Sequence, residues 1–302
     1  MSFDATGVMP AIVTPRKASG QVALERIKPI VDFLLSKGVD GLHVCGTTGE
    51  FATLTVDDRK RVLEECIKAA AGRGTIIAQV GAVATRDVCE LAEHAGQVGA
   101  DAVSSVPPFY YPVTVPIVMS HYRAIAESSR LPVVIYDNPL TTGVTVTPDV
   151  ARELAQAGYV HGIKVARADM YALARFAEIN NARFAVYPVE TFYLSGLVTA
   201  NVAGTIGSMG NWIPEVFVGI KLNFQRGNLG RAAELQRLVC ELINAYPGEE
   251  MACTKALLAR RGIPCGDPWR PLLPLTEQEK RALFKAIDSL VSDYESLAEV
   301  SE

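Results

Sequence analysis

Several kinds of signal are scarce in this 302-residue chain, and each scarcity narrows what it can do. The 29 Lys and Arg residues are offset by 33 Asp and Glu, and the longest basic run is Arg59-Lys60-Arg61, which reads as one solvated helix face. No basic footprint for nucleic acid results, so no nucleic-acid partner is expected. No segment approaches the ~18 apolar residues of a spanning helix. The opening MSFDATGVMP has neither a basic start nor an apolar stretch. A cytoplasmic protein without a membrane partner is expected. The six cysteines (45, 66, 89, 240, 253, 265) include no CxxC pair, and the four histidines (43, 94, 121, 161) show no ligand spacing. The thiols are therefore read as reduced and packed as small apolar residues, with neither a metal nor a cofactor expected. No stretch rich in Pro, Gly or Ser divides the chain.

What the chain has is a core and a rhythm. At 49% hydrophobic it can bury a large interior. Short β-rich apolar runs recur at 7-14, 41-46, 75-81, 102-106, 132-137, 160-165, 183-187 and 203-206, with helical patterns between them. Helix starts are marked by Thr55 with Asp58, by Thr85 before RDVCELAEHA, and by Thr147 followed by Pro148. Eight strands joined by helical crossovers predict a parallel sheet with helices outside, and the count of eight favours an α/β fold closed as a (β/α)8 TIM barrel over residues 1-226. Further helices are expected near 229-246, 249-261 and 277-297, the last opened by a Thr276-Glu279 capping box. Residues 227-302 are thus expected to form a C-terminal helical extension packed on the barrel.

Lys164 interrupts the apolar run YVHGIKV. Side chains alternate along a strand, so Lys164 shares its face with Val160, Gly162 and Ala166, while His161, Ile163 and Val165 take the other. If the bulkier set faces the helices, the lysine points inward between small neighbours that leave room around it. Desolvation there would favour the neutral amine, a nucleophile able to form a Schiff base with a ketone. The alternative is a lysine that ends a strand and reaches solvent.

Two other stretches bear on that choice. GTTGE at 46-50 follows the second strand, where its hydroxyls and backbone N-H groups can hold a carboxylate, or where Thr47 or Thr48 simply caps a turn. VVIYDNP places Tyr136 on the inward face if Val134 is inward, either as a proton relay or as a packed tyrosine with one hydrogen bond. All three lie at strand ends on one rim, and a carboxylate holder, a proton relay and an amine together make a 2-oxo-acid site. GTIGSMG at 204-210 reads either as the distal part of that site or as a phosphate cradle.

The pieces GTTGE, DAVSSVPPFYYP, IYDNPLTTGV, GIK and SGLVTANVAGTIGS occur in an order that resembles the dihydrodipicolinate synthase / N-acetylneuraminate lyase family of class I, pyruvate-dependent aldolases, over about residues 7 to 297. The resemblance implies that Lys164 is the Schiff-base lysine, Tyr136 the proton shuttle, and Thr47 and Thr48, with Gly46, the binders of the pyruvate carboxylate. It makes Tyr110 the tyrosine that reaches a neighbouring subunit's site, in a homotetramer. Its distal substrate residues are Thr141, Glu190, Thr191, Gly207 and Ser208. Its substrates are a 2-oxo acid and an aldehyde or sugar acid.

The chain departs from both named branches. Thr141 stands where the lysine-pathway synthases carry an arginine for a second carboxylate. Glu190-Thr191, Pro188 and Ala166 differ from the sialic acid lyases. Asp137 and Asn138 replace the family's asparagine and aliphatic residue. The expected substrate is therefore another hydroxylated 2-oxo-3-deoxy acid, cleaved, formed or dehydrated. The alternatives are 4-hydroxy-tetrahydrodipicolinate synthase, an N-acetylneuraminate lyase-like enzyme, and a non-catalytic 2-oxo-acid binder.

Overall fold

The computed structural model describes residues 5-179 and 184-299. In chain order the strands are β1 (Gly7–Val8), β2 (Gly41–Val44), β3 (Thr75–Gln79), β4 (Ala102–Ser105), β5 (Val133–Asp137), β6 (Gly162–Val165), β7 (Ala185–Pro188) and β8 (Gly204–Thr205). The α-helices are α1 (Ile27–Ser36), α2 (Val56–Ala70), α3 (Thr85–Val98), α4 (Val115–Ser129), α5 (Pro139–Thr142), α6 (Pro148–Gln156), α7 (Met170–Ala177), α8 (Tyr193–Ala200), α9 (Pro214–Gln225), α10 (Leu229–Asn244), α11 (Glu250–Arg260) and α12 (Glu277–Leu290). Each of the eight expected strands has its counterpart. Arg183, where the seventh was expected to begin, lies outside the described residues. Internal contacts divide the chain into a strand-rich unit, Met1–Gly7 with Thr75–Ile206, and a terminal unit, Val8–Gly74 with Gly207–Glu302.

In the strand-rich unit, β3 to β7 lie side by side in sequence order, all parallel. Residues of β4, β5 and β6 are buried on both faces, which explains why these segments read as apolar runs rather than as alternating ones. The register sets Tyr136 opposite Lys164 and Lys164 opposite Tyr187. Two residues earlier, Gly162 lies opposite Ala185, and a Cβ on it would stand 2.5 Å from the Ala185 carbonyl oxygen. The sequence reading gave this glycine the role of making room for the lysine. Instead, the space belongs to the backbone of β7.

The terminal unit carries β2, with residues 10-12 running beside it. His43 N-H donates to Pro10 O at 2.9 Å and Ile12 N-H to His43 O at 3.0 Å. The first strand, expected over 7-14, is regular only at Gly7–Val8, with an isolated bridge at Ala11. Pro10 has no N-H to give, and the Val13 N-H goes to the Asn211 side chain at 3.0 Å. In the same unit α9 packs on α10, and α12 on both α10 and α11.

Three of the four helix-start signals act as read. The Thr55 hydroxyl accepts from Asp58 N-H, Thr147 from Val150 N-H behind Pro148, and Thr276 with Glu279 forms the reciprocal capping box. Thr85 differs. It is the first residue of α3 rather than its cap, and its hydroxyl shares a 2.9 Å hydrogen bond with His121 Nδ1. The last helix stops at Leu290 because Val291 turns extended, and Glu295–Ala298 forms a separate 3-10 turn. Arg59 does not lie on a solvated face: it is buried, its guanidinium 5.2 Å from the Phe51 ring centroid. The long apolar stem and planar head suit that stacked position. All six cysteines are unpaired thiols. Among the described residues no helix is long and apolar enough to cross a membrane, and no cluster of three acidic, histidine or cysteine side chains is placed for a metal.

Candidate active site

The strand-rich unit brings together an amine and a phenol. Lys164 and Tyr136 are register partners on β6 and β5, so both side chains leave the sheet on one face. Lys164 is 4% exposed, and its Nζ sits 4.0 Å from the centroid of the Tyr136 ring. Tyr187, on the other flank of the lysine, is held by its hydroxyl, which donates to Ala5 O at 2.5 Å. The lysine therefore does not reach solvent from the strand end. A primary amine set against a phenol is the pair that carbonyl-amine condensation needs, one group to attack and one to move protons.

The end of β5 is fixed by charge. Asp137 is fully buried and accepts from Val146 N-H at 2.9 Å and from Arg167 Nε at 2.7 Å. Arg167 also donates from Nη1 to Asp169 Oδ2 at 2.6 Å and from Nη2 to Val146 O at 3.5 Å. Burial pushes the Asp137 carboxyl above the ordinary range, opposed by the Val146 N-H and then by Arg167. Asn138 is buried too, and its Nδ2 donates to the Tyr136 hydroxyl oxygen at 3.4 Å. In the sequence Asp137 and Asn138 stand only as departures from the family pattern, and the clamp of Asp137 on Arg167 is not evident there. The available signal was a basic residue three positions after the lysine, facing an acid at the end of the neighbouring strand.

The expected distal residues of this unit are placed unevenly. Glu190 is buried and Thr191 half-buried, both in a 3-10 turn directly after β7. Thr141 is exposed, and its hydroxyl donates back to Asn138 O at 3.3 Å. Tyr110 stands apart: it is 83% exposed, adopts a φ of +84°, and meets Tyr111 edge to face at 5.2 Å. A left-handed tyrosine is uncommon and strained.

The terminal unit holds the GTTGE turn. Cys45 and Glu50 both have left-handed backbones, with φ of +58° and +57°, and the turn between them closes through Glu50 N-H to Thr47 O at 2.9 Å. Gly46 is required, since a Cβ there would lie 2.7 Å from His43 Nδ1. Thr48 is buried and Thr47 half-buried. Glu50 anchors the turn: its carboxylate pairs with Lys255 at 2.5 Å and accepts from Trp269 N-H at 2.6 Å. Lys255 also lies 4.7 Å from the Trp269 ring centroid and donates to Asp267 O at 3.3 Å. Burial pushes Glu50 up and Lys255 down, each opposed by the partner's charge. This anchor was not read from the sequence. Its trace was Lys255 itself, spaced three residues from Ala252 and Leu258 on a buried helix face. Gly207 and Ser208 are buried in the same unit: the Gly207 carbonyl accepts from Ala11 N-H at 2.7 Å, and the Ser208 hydroxyl donates to Glu250.

The protein resembles known ones along nearly its whole length. It is 32% identical to the N-acetylneuraminate lyase of Rhizobium meliloti (strain 1021), over 98% of both chains. It is 31% identical to the 4-hydroxy-tetrahydrodipicolinate synthase of Syntrophus aciditrophicus (strain SB), over 94% of this chain and 97% of that one. The crystal structure of YagE, a prophage protein of the dihydrodipicolinic acid synthase family from E. coli K12 in complex with pyruvate, matches with a TM-score of 0.90 at 27% identity, covering 94% and 98%. The fold is thus the (β/α)8 barrel with a C-terminal helical extension. Residues 4-290 match the dihydrodipicolinate synthetase family, and the chain belongs to it. It is a lyase of the class I, pyruvate-dependent aldolase type.

Proposed function

We propose that this enzyme cleaves, forms or dehydrates a hydroxylated 2-oxo-3-deoxy acid through a Schiff base on Lys164, with pyruvate as product or donor. The observation that carries the reading is the buried Lys164 amine lying over the Tyr136 ring. The amine nitrogen bonds to C2 of the substrate, the carbonyl oxygen takes up the proton the nitrogen loses, and a second protonation releases that oxygen as water. Tyr136 carries these protons. The protonated imine then draws the C3-C4 bonding electrons toward nitrogen as the C4 hydroxyl loses its proton and the aldehyde departs. Protonation of the enamine at C3 and hydrolysis return the amine and pyruvate. In this reading Thr47, Thr48 and Gly46 hold the 2-oxo carboxylate, and Tyr110 completes the relay from a neighbouring subunit of a homotetramer. These roles rest on the family resemblance.

The substrate class is supported by what stands along the expected distal end. Thr141 replaces an arginine, Glu190 adds a carboxylate, and Arg167 is committed through all three of its nitrogens to Asp137, Asp169 and Val146. Alcohol groups suit such a lining, whereas a second substrate carboxylate would lack a cation. The test is borohydride reduction with a panel of 2-oxo acids, read by intact mass and peptide mapping. A single adduct at Lys164 is expected, absent from Lys164→Ala and Lys164→Arg. An adduct at another lysine rejects the mechanism. Aspartate semialdehyde condensation with the highest kcat/KM would reject the substrate class.

A further inference from the structure

We infer that Asn138 is a positioning residue that sets the direction of the Tyr136 hydroxyl, an inference that rests on the Schiff-base reading above. A phenol oxygen has one hydrogen to donate and lone pairs that accept. Asn138 Nδ2 donates to that oxygen at 3.4 Å, so the phenol's own hydrogen must point away from the amide. When the phenol gives up its proton during imine formation, the same amide stabilises the charge left on oxygen. Preorganised donors of this kind assist wherever negative charge develops.

The asparagine is held hard enough to act this way. Its main-chain carbonyl oxygen accepts from Thr142 Oγ1 at 3.0 Å, Thr142 N-H at 3.1 Å, Thr141 N-H at 3.2 Å and Thr141 Oγ1 at 3.3 Å. Thr141 and Thr142 thus fix the backbone that carries the amide. The residue before it, Asp137, is tied through Arg167 to the segment that follows β6, three positions beyond Lys164. The clamp joins the two strand ends that bear the phenol and the amine. Residues 136-138 thereby form one rigid run: the shuttle, the residue that ties its strand to the lysine's, and the donor that orients it.

The test measures how fast borohydride-trappable adduct accumulates at Lys164 with pyruvate, so it does not depend on knowing the physiological substrate. Asn138→Asp keeps the shape and the carbonyl bonds but removes the donor, and Asn138→Leu removes it without adding charge. Both are expected to form adduct about tenfold more slowly, the effect of one lost hydrogen bond, with half-saturating pyruvate within about twofold of wild type. A merely structural role would not separate rate from saturation in this way. If wild type forms no adduct at Lys164, the Schiff-base reading falls and this inference with it. If wild type forms the adduct and either folded variant forms it equally fast, only the inference on Asn138 is overturned. A slowdown matched by an equal rise in half-saturating pyruvate overturns it as well. Should Asn138→Leu fail to fold, Asn138→Asp decides.

Discussion

The molecule buries two acid-base pairs beside its candidate site residues, and they are built differently. Asp137 and Arg167 come from neighbouring strand ends, thirty residues apart, and the arginine keeps 20% of its side chain exposed. Glu50 and Lys255 come from the two chain segments of the terminal unit, and the lysine is 2% exposed. Each carboxylate has one cation and one backbone N-H, Val146 for Asp137 and Trp269 for Glu50, and each cation has a further acceptor, Asp169 for Arg167 and Asp267 O for Lys255, so the pairs differ in how far the cation is exposed. A buried carboxylate can therefore be held by a partly wet clamp or by a dry bond. The two should fail by different amounts.

The largest effect is expected for Lys255→Met. It leaves Glu50 charged and unpaired in the interior, which costs about 3–5 kcal/mol. Urea unfolding should show this, and adding Glu50→Gln should recover part of the loss. Recovery would identify the stranded charge, rather than the missing lysine stem, as the cause.

Next comes an acid response located in the strand-rich unit. His121 is buried, sharing hydrogen bonds with Thr85 Oγ1 and Ser105 Oγ, and desolvation lowers its pKa from 6.5 to about 4 against the opposing Val106 contact. The unfolded chain thus takes up the proton first as pH falls. Stability present above pH 6.5 should drain away down to about pH 4, by about 3 kcal/mol. His121→Gln should flatten that slope in a series of urea melts.

Tyr136→Phe separates chemistry from anchoring. Turnover is expected to fall at least ~100-fold, while the unfolding midpoint stays close to wild type. Turnover within a few-fold of wild type would make the tyrosine a packing residue.

Arg167→Met should cost less than Lys255→Met, about 1–3 kcal/mol, because the arginine is the partly exposed member of its pair. A loss equal to that of Lys255→Met would remove the distinction between the wet and dry pairs.

What the sequence made legible follows this same division. Short apolar runs between helical patterns located the strands, and the alternation argument set Tyr136 and Lys164 each on the inward face because it needs only local geometry. Thr55, Thr147 and Thr276 were readable for the same reason. Thr85 was not, because its hydroxyl serves His121, a partner 36 residues away. Arg59 was misplaced because a basic triplet says nothing about the Phe51 ring beneath it. Gly162 was given the right size and the wrong reason, since the approach of β7 is a tertiary fact. Glu50 reads as the end of a motif, and nothing near it announces a lysine 205 positions later.

The Glu50 anchor also has an evolutionary and engineering consequence. The shape of the turn at 45-50 is specified twice in the chain, once by its own glycines and once by Lys255 and Trp269. Descendants that change one copy are constrained to adjust the other, so these distant positions should drift together. A chimera that grafts a relative's last fifty residues onto this chain would alter the turn without touching it, and a library confined to residues 45-50 would explore only half of its own determinants.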